Sequence, residues 1–150
     1  MAKTHTMEER LTQLNSERAR VQAGGGEGRI AKQHEKGKMT ARERIDAFVD
    51  PETFIETGAF RRNRTTAFGM DQADMPADGV VTGHASVMGR PVYLASQDFT
   101  VVGGSAGETH NIKVTETMEN ALMNGAPFVF INDSGGARVQ EGIDSLSGYG

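Results

Sequence analysis

The 150-residue sequence has no cysteine, so neither a disulfide nor a thiolate metal site can hold the chain together, and a reducing compartment suits it. It also has no long apolar run. Residues 126–131 fall far short of the roughly 20 residues that span a bilayer, and the N-terminus has charges but no apolar signal core, so the expected location is cytoplasmic. No His, Cys and carboxylate cluster occurs at metal-ligand spacing. His34, among charged neighbours, reads as a solvated surface histidine, and no metal is expected on the chain. Two nucleotide motifs are missing as well. Gly24, Gly25 and Gly26 have neither the preceding apolar strand nor the following Gly-Lys-Ser/Thr of a P-loop and read as a flexible helix stop; the G-x-G-x-x-G fingerprint is not matched at residues 103–107. Positive charge is scarce in the second part of the chain. Residues 1–64 carry 13 Lys or Arg against 10 Asp or Glu, a net of +3, whereas residues 65–150 carry 3 against 10, a net of −7. That excess is too weak and too mixed for a nucleic-acid groove, but a polyanionic small molecule remains possible.

With 37% hydrophobic and 24% charged residues, the chain has the composition of one α/β domain. Residues 1–6 read as disordered. Met7, Leu11, Leu14 and Val21 then recur at helical spacing. Residues 27–36 form a short charged helix stopped by Gly37. Thr40 and Glu43 have capping-box spacing for a helix to about Val49, which Asp50 and Pro51 break. Phe54, Ile55, Ala59 and Phe60 suggest a strand. Residues 80–88 and 92–95, joined at Gly89, Arg90 and Pro91, predict a hairpin with Tyr93 and Leu94 in the core. Residues 108–124 predict a long helix, with Ser105 and Glu108 as its capping box, Ile112, Val114, Met118, Ala121 and Leu122 near one face, and Gly125 and Pro127 as its stop. His110 sits in the first turn, where the helix dipole disfavours a cation, and reads as neutral and structural. Ile143, Leu146 and Tyr149, spaced three apart, suggest a further helix.

The candidate site follows the run Phe128, Val129, Phe130, Ile131. Its lack of polar alternation predicts a central strand buried on both faces and paired on both sides. The polar turn after it, at the C-terminal end of a strand, is where open α/β sheets bind ligands. Gly135 and Gly136 let a ligand approach backbone amides, and Arg138 offers a fork of donors suited to phosphate. Gly103, Gly104 and Ser105 form a second glycine-rich turn, either simple packing or a pocket wall. Arg61, Arg62 and Arg64 read by themselves as a basic edge facing water.

Residues 133–150, DSGGARVQEGIDSLSGYG, resemble the signature of the carboxyltransferase (β) subunits of biotin-dependent acyl-CoA carboxylases and transcarboxylases. Residues 96–107 (SQDFTVVGGSAG), and residues 60–69 with 78–83 (DGVVTG), resemble the same family in the same order. The resemblance implies an α/β, crotonase-like spiral of strand-strand-helix units, incomplete here and preceded by N-terminal helices. It divides the chain into an N-terminal helical segment, residues 1–50, and the truncated first part of the carboxyltransferase N-terminal domain, residues 51–150. It implies transfer of a carboxyl group between carboxybiotin, carried on a partner domain, and the α-carbon of an acyl-CoA such as propionyl-CoA. The implied partners are acyl-CoA, the biotin carboxyl carrier, the biotin carboxylase and, at full length, further copies of the chain.

On the same resemblance Ser134, Gly135, Gly136, Ala137 and Arg138 border the acyl-CoA, with Gly103, Gly104 and Ser105 as a neighbouring wall and Arg61, Arg62 and Arg64 as phosphate contacts. The family's oxyanion holes are backbone amides in two glycine-rich segments placed downstream of residue 150. No catalytic residue is therefore assigned, and the chain alone is expected to show no biotin-dependent carboxylation. Two other readings stay open. One is a non-catalytic acyl-CoA-binding or assembly module. The other is a serine hydrolase using Ser134, although G-x-S-x-G is broken by Asn132.

Overall fold

The computed structural model describes residues 6–147; the expectations for residues 1–5 and for Tyr149 lie outside them. Thr6 is not part of a loose tail. It opens α1 (Met7–Gln22) with a capping box, its Oγ1 accepting the Glu9 N–H at 3.2 Å while the Glu9 carboxylate accepts the Thr6 N–H at 2.8 Å. Helical spacing identified α1 but not its burial. Only Val21 is buried, while Met7 is 71% and Leu11 52% exposed, because only the C-terminal end of the helix rests on the rest of the chain.

The glycine turn after α1 stops the helix as expected, but it is packed against Thr100 and not loose. A Cβ on Gly25 would stand 1.9 Å from the Thr100 carbonyl oxygen, and the Gly25 N–H donates to Thr100 Oγ1 at 2.9 Å. Glycine is needed there for close approach. Next come α2 (Glu27–Glu35) and α3 (Ala41–Phe48), the latter opened by the expected box between Thr40 and Glu43.

The sheet runs in the order β1 (Ile55–Thr57), β2 (Val80–Val87), β3 (Arg90–Gln97), β4 (Phe128–Ile131). The first two pairings are antiparallel. β3 and β4 are parallel, linked by a crossover through α4 (Glu108–Met123). The hairpin turns at Met88 and Gly89, with φ of 52° and 73°, so Arg90 and Pro91 belong to β3 and not to the turn. A two-residue turn of this hand matches the twist of the flanking strands better than the three-residue one expected.

α3 covers one face, where Ala41 and Ile45 meet Val81, Ala85, Val92 and Leu94; the second core joins Val114 of α4 to Val80, Ala95 and Phe128. Leu94 is buried as expected, and Tyr93 is half-buried against the His84 ring. Two expectations fail in this part. β4 is an edge strand among the described residues, half-exposed, with Phe130 37% accessible. An apolar run announces an apolar environment, not which elements supply it. α4 packs on the sheet, but Ile112, Met118 and Leu122 face outward while Thr109, His110, Lys113, Thr117 and Ala121 face in. Its inner face is polar because it bonds the buried main chain of Ala77, Asp78 and Val80. Among the described residues no helix is long and apolar enough to cross a membrane.

Candidate functional site

Because β3 and β4 are parallel, the segments leaving their C-terminal ends emerge at the same sheet edge. These segments are the two glycine-rich turns. They are bound together by backbone: Gly135 N–H to Gly103 O at 2.9 Å, Ala106 N–H to Gly136 O at 2.9 Å, and Arg138 N–H to Ala106 O at 2.7 Å. Gly104 permits the approach. It has φ +61°, and a Cβ there would lie 2.3 Å from the Asp133 carbonyl oxygen. Ser134, Gly135 and Gly136 face solvent, Ala137, Gly103 and Ser105 are half-buried, and Gly104 is buried.

The two glycine amides of this turn are bonded within the chain. The Gly135 amide serves Gly103, and the Gly136 amide donates to Ser134 Oγ at 3.0 Å. The expectation that both amides face an anion is corrected accordingly: the turn offers a surface free of bulky side chains. Ser134 has no histidine partner among the described residues, so the hydroxyl is not set up as a hydrolase nucleophile.

Arg138 is the larger correction. Its side chain is 0% exposed, and all five N–H donors are used within the chain. Nε meets Ser105 Oγ at 3.3 Å; Nη1 meets Asp78 Oδ1 at 2.5 Å and Glu141 Oε1 at 2.8 Å; Nη2 meets the Ser105 carbonyl at 2.8 Å and the Asp78 carbonyl at 3.4 Å. A guanidinium in this state has nothing left for a phosphate. Its two carboxylates carry the arrangement further. Asp78 Oδ2 accepts the His110 N–H at 2.8 Å, and Glu141 Oε2 accepts the Glu108 N–H at 2.7 Å, so both cap the N-terminus of α4. This replaces the expected box between Ser105 and Glu108: Gly107 is the N-cap, and Ser105 Oγ donates to Val102 O at 2.8 Å. Burial pushes the Asp78 carboxyl up, against the pull of Arg138. The segment expected to be a helix after Gly142 is a 3₁₀ stretch, Val139–Leu146, kinked at that glycine.

Beneath lie two buried bases. His110 Nδ1 faces the Asp78 carbonyl at 3.1 Å, and burial lowers its pKa to about 4, in keeping with a neutral structural role. Lys113 donates to the Ala77 carbonyl at 2.7 Å and to that of Val80; burial lowers its pKa to about 8. In front, Asp133 accepts from Gln33 at 2.7 Å, Lys38 at 2.9 Å and Arg44, tying the site turn to α2 and α3. Burial opposes its charge, but those donors prevail and hold the carboxyl at about 2. Asp78, Glu141, Asp133 and Lys113 were not singled out from sequence. One signal was available: Arg138 is one of 3 cations among 10 carboxylates after residue 64, which favours an ion-paired arginine.

Arg61, Arg62 and Arg64 pair with Glu116 at 2.7 Å, Glu17 at 2.8 Å and Glu108 at 3.9 Å, and are 40 to 76% exposed. His34 is a surface residue bonded to Glu43 at 2.9 Å. Among the described residues no group of three or more His, Asp or Glu could hold a metal.

The carboxyl transferase domain family model matches residues 32–150. The methylmalonyl-CoA carboxyltransferase 12S subunit of Propionibacterium freudenreichii subsp. shermanii is 65% identical over 145 residues, 97% of this chain and 28% of that protein. The propionyl-CoA carboxylase carboxyltransferase subunit of Haloferax mediterranei is 52% identical over the same shares. In structure, the hexameric transcarboxylase 12S, crystallised with methylmalonyl-coenzyme A and methylmalonic acid, is similar at a TM-score of 0.95 and 62% identity, over 99% of this chain and 29% of its own. The chain thus spans about 28% of the length of the curated relatives it matches.

Proposed function

From the premise that this chain belongs to the carboxyl transferase domain family, with a crotonase-like α/β fold, we propose that it forms part of an enzyme that moves a carboxyl group between carboxybiotin and the α-carbon of an acyl-CoA such as propionyl-CoA. One observation carries the reading: the two glycine-rich turns are joined by three backbone hydrogen bonds into a single wall at the C-terminal edge of parallel strands. On that wall Ser134, Gly135, Gly136 and Ala137 border the acyl-CoA, with Gly103, Gly104 and Ser105 behind them. Arg138 holds the wall and does not touch the ligand. Arg61, Arg62 and Arg64 remain candidates for outlying phosphate contacts. Residues 1–50 form the helical segment and residues 51–150 the first part of the carboxyltransferase domain.

Removing a proton or carboxylate from the α-carbon builds charge on the thioester oxygen, which preorganised donors must stabilise. Biotin on a carrier would supply the carboxyl group. The amides of Gly135 and Gly136 are bonded within the chain, so these two donors are not free to hold it. The proposal includes the biotin carrier and carboxylase as partners, assembly with further copies, and a cytoplasmic setting.

The test is carboxyl transfer from labelled methylmalonyl-CoA to biotin by the whole enzyme of which this chain is proposed to be part. Ser134→Trp, which places an indole on an exposed turn, is expected to slow transfer by about tenfold or more, by misplacing the thioester, with an unchanged unfolding midpoint. Arg90→Gln, in β3 beside the hairpin turn, should leave the rate unchanged. Equal rates for wild type and Ser134→Trp would remove the turn from the site, and absence of transfer by wild type would remove the reaction.

A further inference from the structure

Gln97, the last residue of β3, is buried and touches both α4 and the site turn. Its amide nitrogen lies 3.3 Å from His110 Nε2, and its amide oxygen accepts the Asp133 N–H at 3.2 Å. On the other side of the ring, His110 Nδ1 faces the Asp78 carbonyl at 3.1 Å. Asp78, His110, Gln97 and Asp133 thus form a line, and hydrogens can be placed along it in one way. A carbonyl oxygen only accepts, so Nδ1 carries the imidazole hydrogen. Nε2 of the neutral ring is then bare and accepts from the Gln97 amide nitrogen. The Gln97 oxygen is left for the Asp133 N–H, which can only donate.

The line begins in a buried turn of unusual backbone. Ala77 and Asp78 have φ of 51° and 53°, a left-handed conformation that non-glycine residues rarely adopt and that persists where the surroundings over-determine it. Here His110 and Arg138 bind the Asp78 main chain, and Lys113 that of Ala77. The line ends beside the exposed Ser134. Gln33, Lys38 and Arg44 hold the Asp133 carboxylate, which leaves its peptide plane free to turn about that anchor; the bond to Gln97 is the second point that fixes the plane. The charged groups facing His110 are Asp78 before β2, Arg138 after β4, itself joined to Glu141, and Lys113 on α4. Burial, with Arg138 and Lys113, opposes a proton on the ring, while the Asp78 carbonyl favours one.

We propose that Gln97 and His110 are positioning residues for the site turn: His110, held as its Nδ1–H tautomer, orients the Gln97 amide, and Gln97 sets the Asp133 peptide from which Ser134 and Gly135 enter the wall. The proposal rests on the acyl-CoA reading in one respect, that the turn so placed borders the ligand. A second proton on His110 breaks the line. Nε2–H would meet the Gln97 amide nitrogen, and turning the amide to offer its oxygen would aim that nitrogen at the Asp133 N–H, donor against donor. One polarity alone therefore connects the Asp78 turn to the site turn.

The discriminating variant is Gln97→Glu, placed in the whole enzyme of which this chain is proposed to be part. Its carboxylate still accepts the Asp133 N–H, but the other oxygen also accepts and needs a hydrogen on His110 Nε2. Nδ1 must keep its own for the Asp78 carbonyl, so the line closes only with the imidazolium. A neighbouring carboxylate favours that form and should bring the His110 pKa from about 4 to between roughly 5 and 7. Relative to wild type at the same pH, carboxyl transfer by Gln97→Glu should be slow at about pH 8 and recover about fivefold by about pH 5.5. Adding His110→Gln should abolish the recovery. Gln97→Met, which makes neither link, should be slowed about tenfold at both values, mainly in kcat, and residues 132–137 should exchange amide hydrogens faster than in wild type by mass spectrometry, with α1 unchanged. Arg90→Gln should match wild type throughout. A Gln97→Glu rate that keeps a constant ratio to wild type, or unchanged exchange of residues 132–137 in Gln97→Met, would overturn the positioning role; should Gln97→Glu fail to fold, the exchange of Gln97→Met decides. If Ser134→Trp still slows transfer when the positioning role fails, the function stands without it. If Gln97→Met loosens residues 132–137 while wild type transfers no carboxyl group, the positioning stands and the function falls.

Discussion

Arg138 shows why a residue type does not settle a role. An arginine after a glycine turn suits a phosphate, but here five donors meet two carboxylates, two carbonyls and a hydroxyl, all inside. Removing one partner from a buried ion-pair group costs about 3–5 kcal/mol, because it strands the other charges. Arg138→Met is therefore expected to destabilise the protein by roughly that amount in urea unfolding, with any loss of acyl-CoA binding following the loss of fold. Unchanged stability with weakened binding would return Arg138 to the ligand. The buried titratable groups give a second expectation at this scale. His110 has a folded pKa of about 4, below its ordinary 6.5, so the unfolded chain binds the extra proton between those values. Stability must then fall as pH drops from about 6.5 to 4. Asp133, held at about 2 against 3.8, extends the loss from about pH 4 downward. A stability profile that is flat between pH 6.5 and 4, by urea titration at each pH, would refute the buried neutral His110, and His110→Gln should remove that first limb.

At the scale of elements, α4 had the right limits and the wrong inner face. Its apolar residues suggested Ile112, Met118 and Leu122, whereas the sheet receives Val114 and Ala121 between polar side chains. Thr109 and Lys113 reach the carbonyls of Arg62, Ala77 and Val80, and His110 faces that of Asp78; a helix can bury polar groups at little cost when each finds such a partner. Leu122→Gln, at a position 82% exposed, should change stability by less than about 0.5 kcal/mol, whereas Ala121→Leu, at 2% exposure, should cost about 1–3 kcal/mol by overpacking. The reverse order in thermal unfolding would mean that α4 sits rotated on the sheet. Capping follows the same logic. The α3 box was legible because its partners are three residues apart, while the carboxylates that cap α4 come from positions 78 and 141 and could not be read locally.

At the scale of the molecule, the charge split of +3 against −7 becomes spatial. The acidic part spends two of its three cations inside, and the first part returns positive charge to the sheet edge through Lys38, between α2 and α3, and Arg44 of α3 on Asp133. That exchange brings α2, α3 and the two glycine turns into one region.

By itself the sequence determined the four α-helices, the two hairpin strands, the short apolar strand and the two glycine-rich turns. Each rests on periodicity, caps or backbone freedom within about a dozen residues, which are local causes. Three ordered motif blocks also carried the family, since they hold their order whatever the fold around them. Tertiary structure alone decided that β4 lies at the sheet edge among the described residues, that the turn amides are occupied, that Arg138 faces inward, and that the glycine turn after α1 packs against Thr100. The deciding contacts include pairs 32 to 75 positions apart, such as Gly135 with Gly103, Arg138 with Ser105 and Asp78, and Gly25 with Thr100, and a buried charge or amide takes whichever partner the fold brings within hydrogen-bond reach.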